Sequence, residues 1–165
     1  MRVLVTYGSK RGGTEGIALT LGQALSEAGL EADVRPAGAV RTLSGEDAVI
    51  VGGALYAMRW HKDARRFVKR YRSDLRTVPV WLFSSGPLDD SATKGDIPPV
   101  RRVRELMDLI DARGHATFGG RLAPDAKGFP ASAMAKKSAG DWRDDAQIRA
   151  WARGIADQLG HAVAA

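Results

Sequence analysis

Thr6-Tyr7-Gly8-Ser9-Lys10-Arg11-Gly12-Gly13-Thr14-Glu15 links the apolar run Val3-Leu4-Val5 to a segment in which Ile17, Leu21 and Leu25 recur at helical spacing. A strand, a glycine-rich turn and a helix start, in that order, are what an anion cradle requires. The glycines let backbone amides converge, the Ser9 and Thr14 hydroxyls can add hydrogen bonds, and the helix dipole adds positive potential. Two nucleotide motifs fail here. A Walker A loop finds its glycines in Gly8 and Gly13 but needs lysine where Thr14 stands, and the dinucleotide fingerprint needs glycine where Lys10 stands. In isolation, the loop also reads as a tight strand-to-helix turn without a ligand.

Outward from this loop, Ala48-Val49-Ile50-Val51 and Val78-Pro79-Val80-Trp81-Leu82-Phe83 are further continuous apolar runs, as expected of strands buried on both faces of a parallel sheet. Ala32 to Arg35 and Ala116 to Gly119 are weaker strand candidates. Helical spacing recurs in Phe67, Val68 and Tyr71, in Val103, Leu106, Met107 and Ile110, and in Ile148, Trp151, Ala152, Ile155 and Leu159. Gly29 and Gly114 stand where left-handed C-terminal caps are expected, and Asp141 or Asp144 can cap the last helix. The alternation β-α-β-β-α-β-α-β-α predicts an α/β fold with a doubly wound parallel sheet and helices on both faces. Ligands of such a sheet bind beyond the carboxyl ends of its strands, here the loops after the first, third and fourth. The segment 122–140, with Pro124 and Pro130, reads as an insertion or long surface loop.

The 165 residues suit one domain, 1–165, with 44% hydrophobic and 27% charged residues. No cysteine occurs, which excludes disulfides, thiolate catalysis, iron–sulfur ligation and thiolate zinc sites. Redox chemistry therefore requires an organic cofactor. His61, His115 and His161 have no second ligand at metal-binding spacing, so no metal site is expected and core or solvated histidines are the default. No nucleophile elbow occurs, and no basic and aromatic interleaving marks a nucleic-acid module. The N-terminal apolar run reaches Gly8 too early for a signal peptide, so a cytoplasmic location is expected. Ala48 to Met58 is the longest apolar stretch and falls short of the roughly 20 residues a membrane span needs, so membrane contact is expected to be peripheral, at the inner face. The net charge of +6 favours anionic partners. Much of it accumulates at Arg65, Arg66, Lys69, Arg70 and Arg72, a run that also reads as a solvated helix face.

The loop Ser9-Lys10-Arg11-Gly12-Gly13-Thr14 resembles the flavodoxin phosphate loop, Ser-x-Thr-Gly-x-Thr, with Ser9, Gly12 and Thr14 at matching positions and Arg11 replacing the middle threonine. Two later stretches extend the resemblance. Val51-Gly52-Gly53-Ala54-Leu55-Tyr56-Ala57-Met58-Arg59-Trp60-His61 is similar to the loop that packs on one side of the isoalloxazine ring in that family. Ser84-Ser85-Gly86-Pro87-Leu88-Asp89 occupies the position of the loop that covers the other side. The resemblance implies a flavodoxin-like five-stranded sheet in the order 2-1-3-4-5 with FMN as cofactor. It implies backbone contacts from Ala54 to Met58 and Ser84 to Leu88, with Tyr56 and Trp60 as candidate ring partners. Trp60 reads equally well as a core residue, and Asp89 as a turn cap. Within the superfamily, the chain resembles the menaquinone-dependent protoporphyrinogen oxidase family. The loop, the Gly52 to Val68 stretch, the segment after Gly120-Arg121-Leu122 and the tail from Gly140-Asp141-Trp142 carry this likeness. The insertion of that family is rich in basic and aromatic residues, whereas Ala123 to Ala139 here is rich in alanine.

The expected function is that of an FMN-binding oxidoreductase, with no catalytic acid or base required of the protein. A porphyrinogen-like anionic molecule, or a quinone, is the partner that the resemblance implies. The alternative is a non-catalytic electron carrier between redox proteins. Carrier flavodoxins are commonly acidic, which counts against the alternative for a chain of charge +6.

Overall fold

The computed structural model of the chain describes residues 1–10, 12–122 and 140–164. The sheet contains five parallel strands: β1 (Arg2–Gly8), β2 (Glu31–Pro36), β3 (Ala48–Tyr56), β5 (Val80–Ser85) and β6 (Gly114–Phe118). Their spatial order is β2-β1-β3-β5-β6, which is 2-1-3-4-5 when the parallel strands alone are counted. The sixth strand, β4 (Arg59–Trp60), turns back antiparallel on the end of β3, pairing Leu55 with Trp60 and Tyr56 with Arg59. Two residues leave no periodicity in a sequence, and β4 was not expected from it. A two-stranded ribbon of β7 (Arg121–Leu122) and β8 (Gly140–Asp141) brackets residues 123–139. The expected insertion lies almost wholly outside the described residues.

The continuous apolar runs are explained by burial on both faces. Val3 and Val5 of β1, with Ala48 and Ile50 of β3, face one layer, while Leu4, Val49 and Val51 face the other. The first layer is α1 (Gly13–Glu27) and α6 (Asp145–Ala164), which bring Ile17, Leu21, Leu25, Ile148, Ala152, Ile155 and Leu159 to the sheet. The second is α2 (Lys62–Arg70), α3 (Arg72–Leu75) and α5 (Arg101–Ile110), through Ala64, Phe67, Val68, Leu75, Val103, Leu106 and Ile110. The short α4 (Ser91–Lys94) lies between β5 and α5 in the chain. Each fully buried leucine, such as Leu21 or Leu82, stabilises the fold by roughly 1.5–3 kcal/mol.

The caps divide between expectation and correction. After α1, Gly29 takes φ 91° and the Leu30 amide donates to the Leu25 carbonyl, closing the expected left-handed cap. Asp144 caps α6, its carboxylate accepting from the Gln147 amide at 3.1 Å. Asp141 instead forms part of β8 and pairs with Arg143. Gly114 does not cap α5. Asp111 adopts φ 52° there, and Gly114 begins β6 against the Trp81 indole.

Candidate functional site

At the carboxyl edge of the sheet, segments following β1, β3, β5 and β6 enclose a cavity of about 480 Å³. This is within the range of small-molecule sites, roughly 300–1,000 Å³. Its floor is the turn between β1 and α1. Gly12 has φ 81°, a left-handed conformation that disfavours any side chain, although a Cβ there would meet nothing within 4 Å. Helix geometry leaves the first-turn amides of α1 without intrahelical acceptors, and they lie at the positive end of its dipole. Ser9, Lys10, Gly13 and Thr14 line the cavity, whereas Gly12 shapes the turn from behind, and Arg11 lies outside the described residues.

Thr14 is 1% exposed, and its Oγ1 has no hydrogen-bond partner within the protein. An unpaired buried hydroxyl costs free energy unless something in the cavity completes it. Thr6 Oγ1 is likewise unpaired but belongs to β1 outside the cavity. Arg143 braces the same helix start: its guanidinium approaches the Gly13 carbonyl at 3.4 Å and packs against Gly16, while it pairs with Asp141 at 2.7 Å. Hydrogen bonds from Arg143 hold the Asp141 carboxyl below its ordinary pKa.

One wall is the β3–β4 hairpin and the start of α2. Ala54, Leu55, Tyr56, Ala57 and Trp60 line the cavity, and Met58 at the hairpin tip faces outward, 67% exposed. The Tyr56 hydroxyl accepts from the Lys10 amide at 3.2 Å, tying this wall to the floor. Trp60 is 1% exposed, stacked so closely over Gly53 that a Cβ there would collide with the indole. Its Nε1–H donates to Ser84 Oγ at 2.9 Å, and that oxygen is 2.9 Å from His115 Nε2. Trp60 is thus both a core residue and part of the wall. Across the cavity, Ser85, Gly86 and Leu88 line the opposite wall. Ser84 stands behind it as the hydrogen-bond partner of Trp60. The Pro87 carbonyl accepts from Gly120 N–H at 2.7 Å, and Asp89 turns away to accept from the Ser91 amide. Hydrogen bonding by Ser91 holds the Asp89 carboxyl below its ordinary pKa.

Seven further residues line the cavity that the sequence does not single out as contacts, Arg59 and His61 among them although they stand within the flavin-loop stretch. Arg59, His61, Lys62 and Arg65 come from β4 and the start of α2; Gly120, Arg121 and Leu122 follow β6. His61 Nδ1 accepts from the Asp63 amide, capping α2, and burial pushes the imidazole below its ordinary pKa. Neutral His61 therefore carries its proton on Nε2. Arg65 Nε donates to the Trp60 carbonyl at 2.9 Å. The rule that sends ligands to the carboxyl ends of strands applies equally to β6, and that is the signal by which Gly120 to Leu122 could have been found. Among the described residues, no cluster of three or more histidines and carboxylates could hold a metal. Nor is any helix among them long and apolar enough to cross a membrane.

A family model described as "Flavodoxin domain" matches residues 4–137. No curated protein sequence matches the chain. Among solved structures, the chain resembles the rubredoxin oxygen:oxidoreductase of the anaerobe Desulfovibrio gigas, with TM-score 0.68 and 16% identity. That alignment covers 99% of this chain but 37% of the other, so this chain spans little more than a third of that protein. It also resembles a flavodoxin from the domain Archaea, with TM-score 0.66, 16% identity and 98% and 100% of the two chains covered. A cysteine-to-serine mutant of the flavodoxin from Pseudomonas aeruginosa gives TM-score 0.61 and 19% identity over 97% and 99%. At these identities, the structural likeness speaks for the fold.

Proposed function

The chain belongs to the flavodoxin-domain family, whose cofactor is FMN, and from that premise we propose that the carboxyl-edge cavity is its FMN site and that the protein is an FMN-dependent redox protein with an anionic partner. The single observation that carries the site assignment is the buried, unpaired hydroxyl of Thr14, a residue that lines the cavity in the first turn of α1. A phosphate there would be held by Ser9, Thr14 and the first-turn amides, with Lys10 and Arg121 adding charge. Residues of the Ala54 to Trp60 and Ser85 to Leu88 segments line the same cavity and would flank a flat ring system held there. Bound there, FMN would supply one- or two-electron transfer at its ring. The protein orients that ring, keeps water from its apolar side with Leu55, Trp60 and Leu88, and sets the field around it. His61, neutral and with its proton on Nε2, can donate a hydrogen bond into the cavity.

Two forms of this function differ in the partner. In the oxidoreductase form, a porphyrinogen is the electron donor and a quinone the acceptor. Five cations and no carboxylate among the described residues that line the cavity support it, as partners for porphyrin carboxylates. The carrier form, between redox proteins, is supported by exposed Met58, which a small molecule within the cavity would leave in water.

The test is an absorbance titration of purified protein with FMN. The expected result is a perturbed, saturable flavin spectrum, with affinity lowered about tenfold by Thr14→Val, the loss of one hydrogen bond to an anion. No spectral change at saturating FMN would overturn the reading. Anaerobic turnover of protoporphyrinogen with a menaquinone analogue separates the two forms.

A further inference from the structure

The mouth of the cavity has two features that FMN alone leaves unexplained. The first is charge. Lys10, Arg59, Lys62, Arg65 and Arg121 ring the opening, and among the described residues no carboxylate lines it. Two carboxylates beside lining residues are engaged elsewhere: Asp63 faces His61 Nδ1 at 3.8 Å, and Asp141, paired with Arg121 across the β7–β8 ribbon, is held by Arg143. Arg59 and Lys62 are exposed, and no ion pair with either occurs among the described residues. The charge continues beyond the opening along α2 through exposed Arg66, Lys69 and Arg70. A single phosphate at the start of α1 can neutralise only part of this field, and a small anion in the cavity could not reach the far end of α2.

The second feature is the hairpin tip. Ala57 and Met58 form a two-residue loop with φ 50° and 62°, a conformation that glycine and asparagine adopt readily and that other residues adopt under strain. The turn holds Met58 outward, 67% exposed, between exposed Arg59 and the cationic ring. A flexible apolar side chain surrounded by charge is the composition of an interface centre and rim. Covering Met58 takes a body larger than the ligand that fills the cavity.

We propose that the Met58 tip and the surrounding ring of Lys10, Arg59, Lys62 and Arg121 form the docking surface for a redox protein whose own contact face is acidic. The proposal rests on the FMN reading above, in its carrier form, and names the chemistry of the partner. The ring steers encounter with an acidic face and selects against basic ones, and Met58 supplies the desolvated centre. The strip on α2 extends the field along which a large partner approaches.

The test uses the isotopically labelled full chain, with and without saturating FMN, and two probes of opposite charge: an acidic plant-type ferredoxin and basic cytochrome c. Titration with ferredoxin at low salt is expected to shift the amides of Ala57 to Lys62, Lys10 and Arg121, with cytochrome c giving at least tenfold weaker binding. Raising sodium chloride to 0.5 M is expected to weaken ferredoxin binding tenfold or more in the unmodified protein, a readout that needs no variant to fold. Arg59→Glu and Lys62→Glu, each checked for folding, are expected to weaken it several-fold, and Met58→Ser to weaken it without changing the salt slope. Equal binding of the two probes, shifts confined to other faces, or no ferredoxin binding alongside capture by phosphatidylglycerol vesicles would each overturn the proposal. Failure of FMN to bind appears separately in the flavin spectrum, because docking is read in the cofactor-free sample as well.

Discussion

His115 lies on β6, its Nε2 beside Ser84 Oγ and its Nδ1 buried without a partner. Burial lowers its pKa from 6.5 to about 4. The unfolded chain therefore binds a proton that the folded chain refuses between these two values. Stability should be complete above pH 6.5, fall as pH drops through that window, and level off near pH 4, with a total loss of up to about 3 kcal/mol. The depressed His61 adds in the same sense. Urea unfolding at pH 7 and pH 4.5 measures this, and His115→Gln should flatten the slope; an unchanged slope in that variant would refute the assignment. Residues of this kind were poorly legible beforehand. The sequence allows His115 as a core or solvated histidine, but the chain from Trp60 through Ser84 to His115 joins three strands that no local spacing relates. Ser9, Gly12 and Thr14 were legible because the loop is contiguous. Arg121 was not, because it reaches that loop from more than a hundred residues away in the sequence.

Among the elements, the β3–β4 hairpin carries the clearest local conflict. Its tip demands positive φ at both positions but holds Ala57 and Met58. Replacing both, as Ala57→Asn with Met58→Gly, should raise stability by roughly 1–2 kcal/mol through relief of that strain. A urea midpoint that fails to rise would show that the turn is not strained. If Met58 belongs to a docking surface, the same change should weaken docking, so stability and partner binding move in opposite directions. The hairpin also shows where element-level reading stops. The long strands β1, β3 and β5 announce themselves because both their faces are buried and apolar, and α1 because Ile17, Leu21 and Leu25 lie on one side. β4 and the β7–β8 ribbon are two-residue pairings set by tertiary context. Asp111 replaced the expected Gly114 cap by the same kind of override, since an aspartate tolerates the left-handed region and Gly114 was needed where β6 meets Trp81.

At the scale of the whole molecule, the excess charge is segregated. Residues 62–76 and 101–110, which pack on one face of the sheet, contain ten arginines and lysines against four carboxylates. That difference equals the entire net charge of +6. Mutual repulsion over this face destabilises the folded state and is screened by salt, with a Debye length near 10 Å at 0.1 M. The thermal midpoint should therefore rise between 20 mM and 300 mM sodium chloride. Arg66→Glu, placed four residues before Arg70 on α2, should raise the low-salt midpoint and reduce the salt effect. A midpoint indifferent to salt would mean that the charges are too well solvated to interact. Composition alone revealed the charge but not its concentration on one layer, because α2 and α5 become neighbours only through the sheet order.

The strand order has a consequence for the making of the protein. The cavity takes its floor from the first turn of the chain and its last wall from Gly120 to Leu122, and α1 rests against α6 at the opposite end of the sequence. A ribosome delivers the β1–α1 turn more than a hundred residues before Arg121, which packs beside it, and Arg143, which braces it. The cavity is therefore complete only once the segment through Arg143 has emerged, and a ligand of the β1–α1 turn meets its full set of neighbours only from that point.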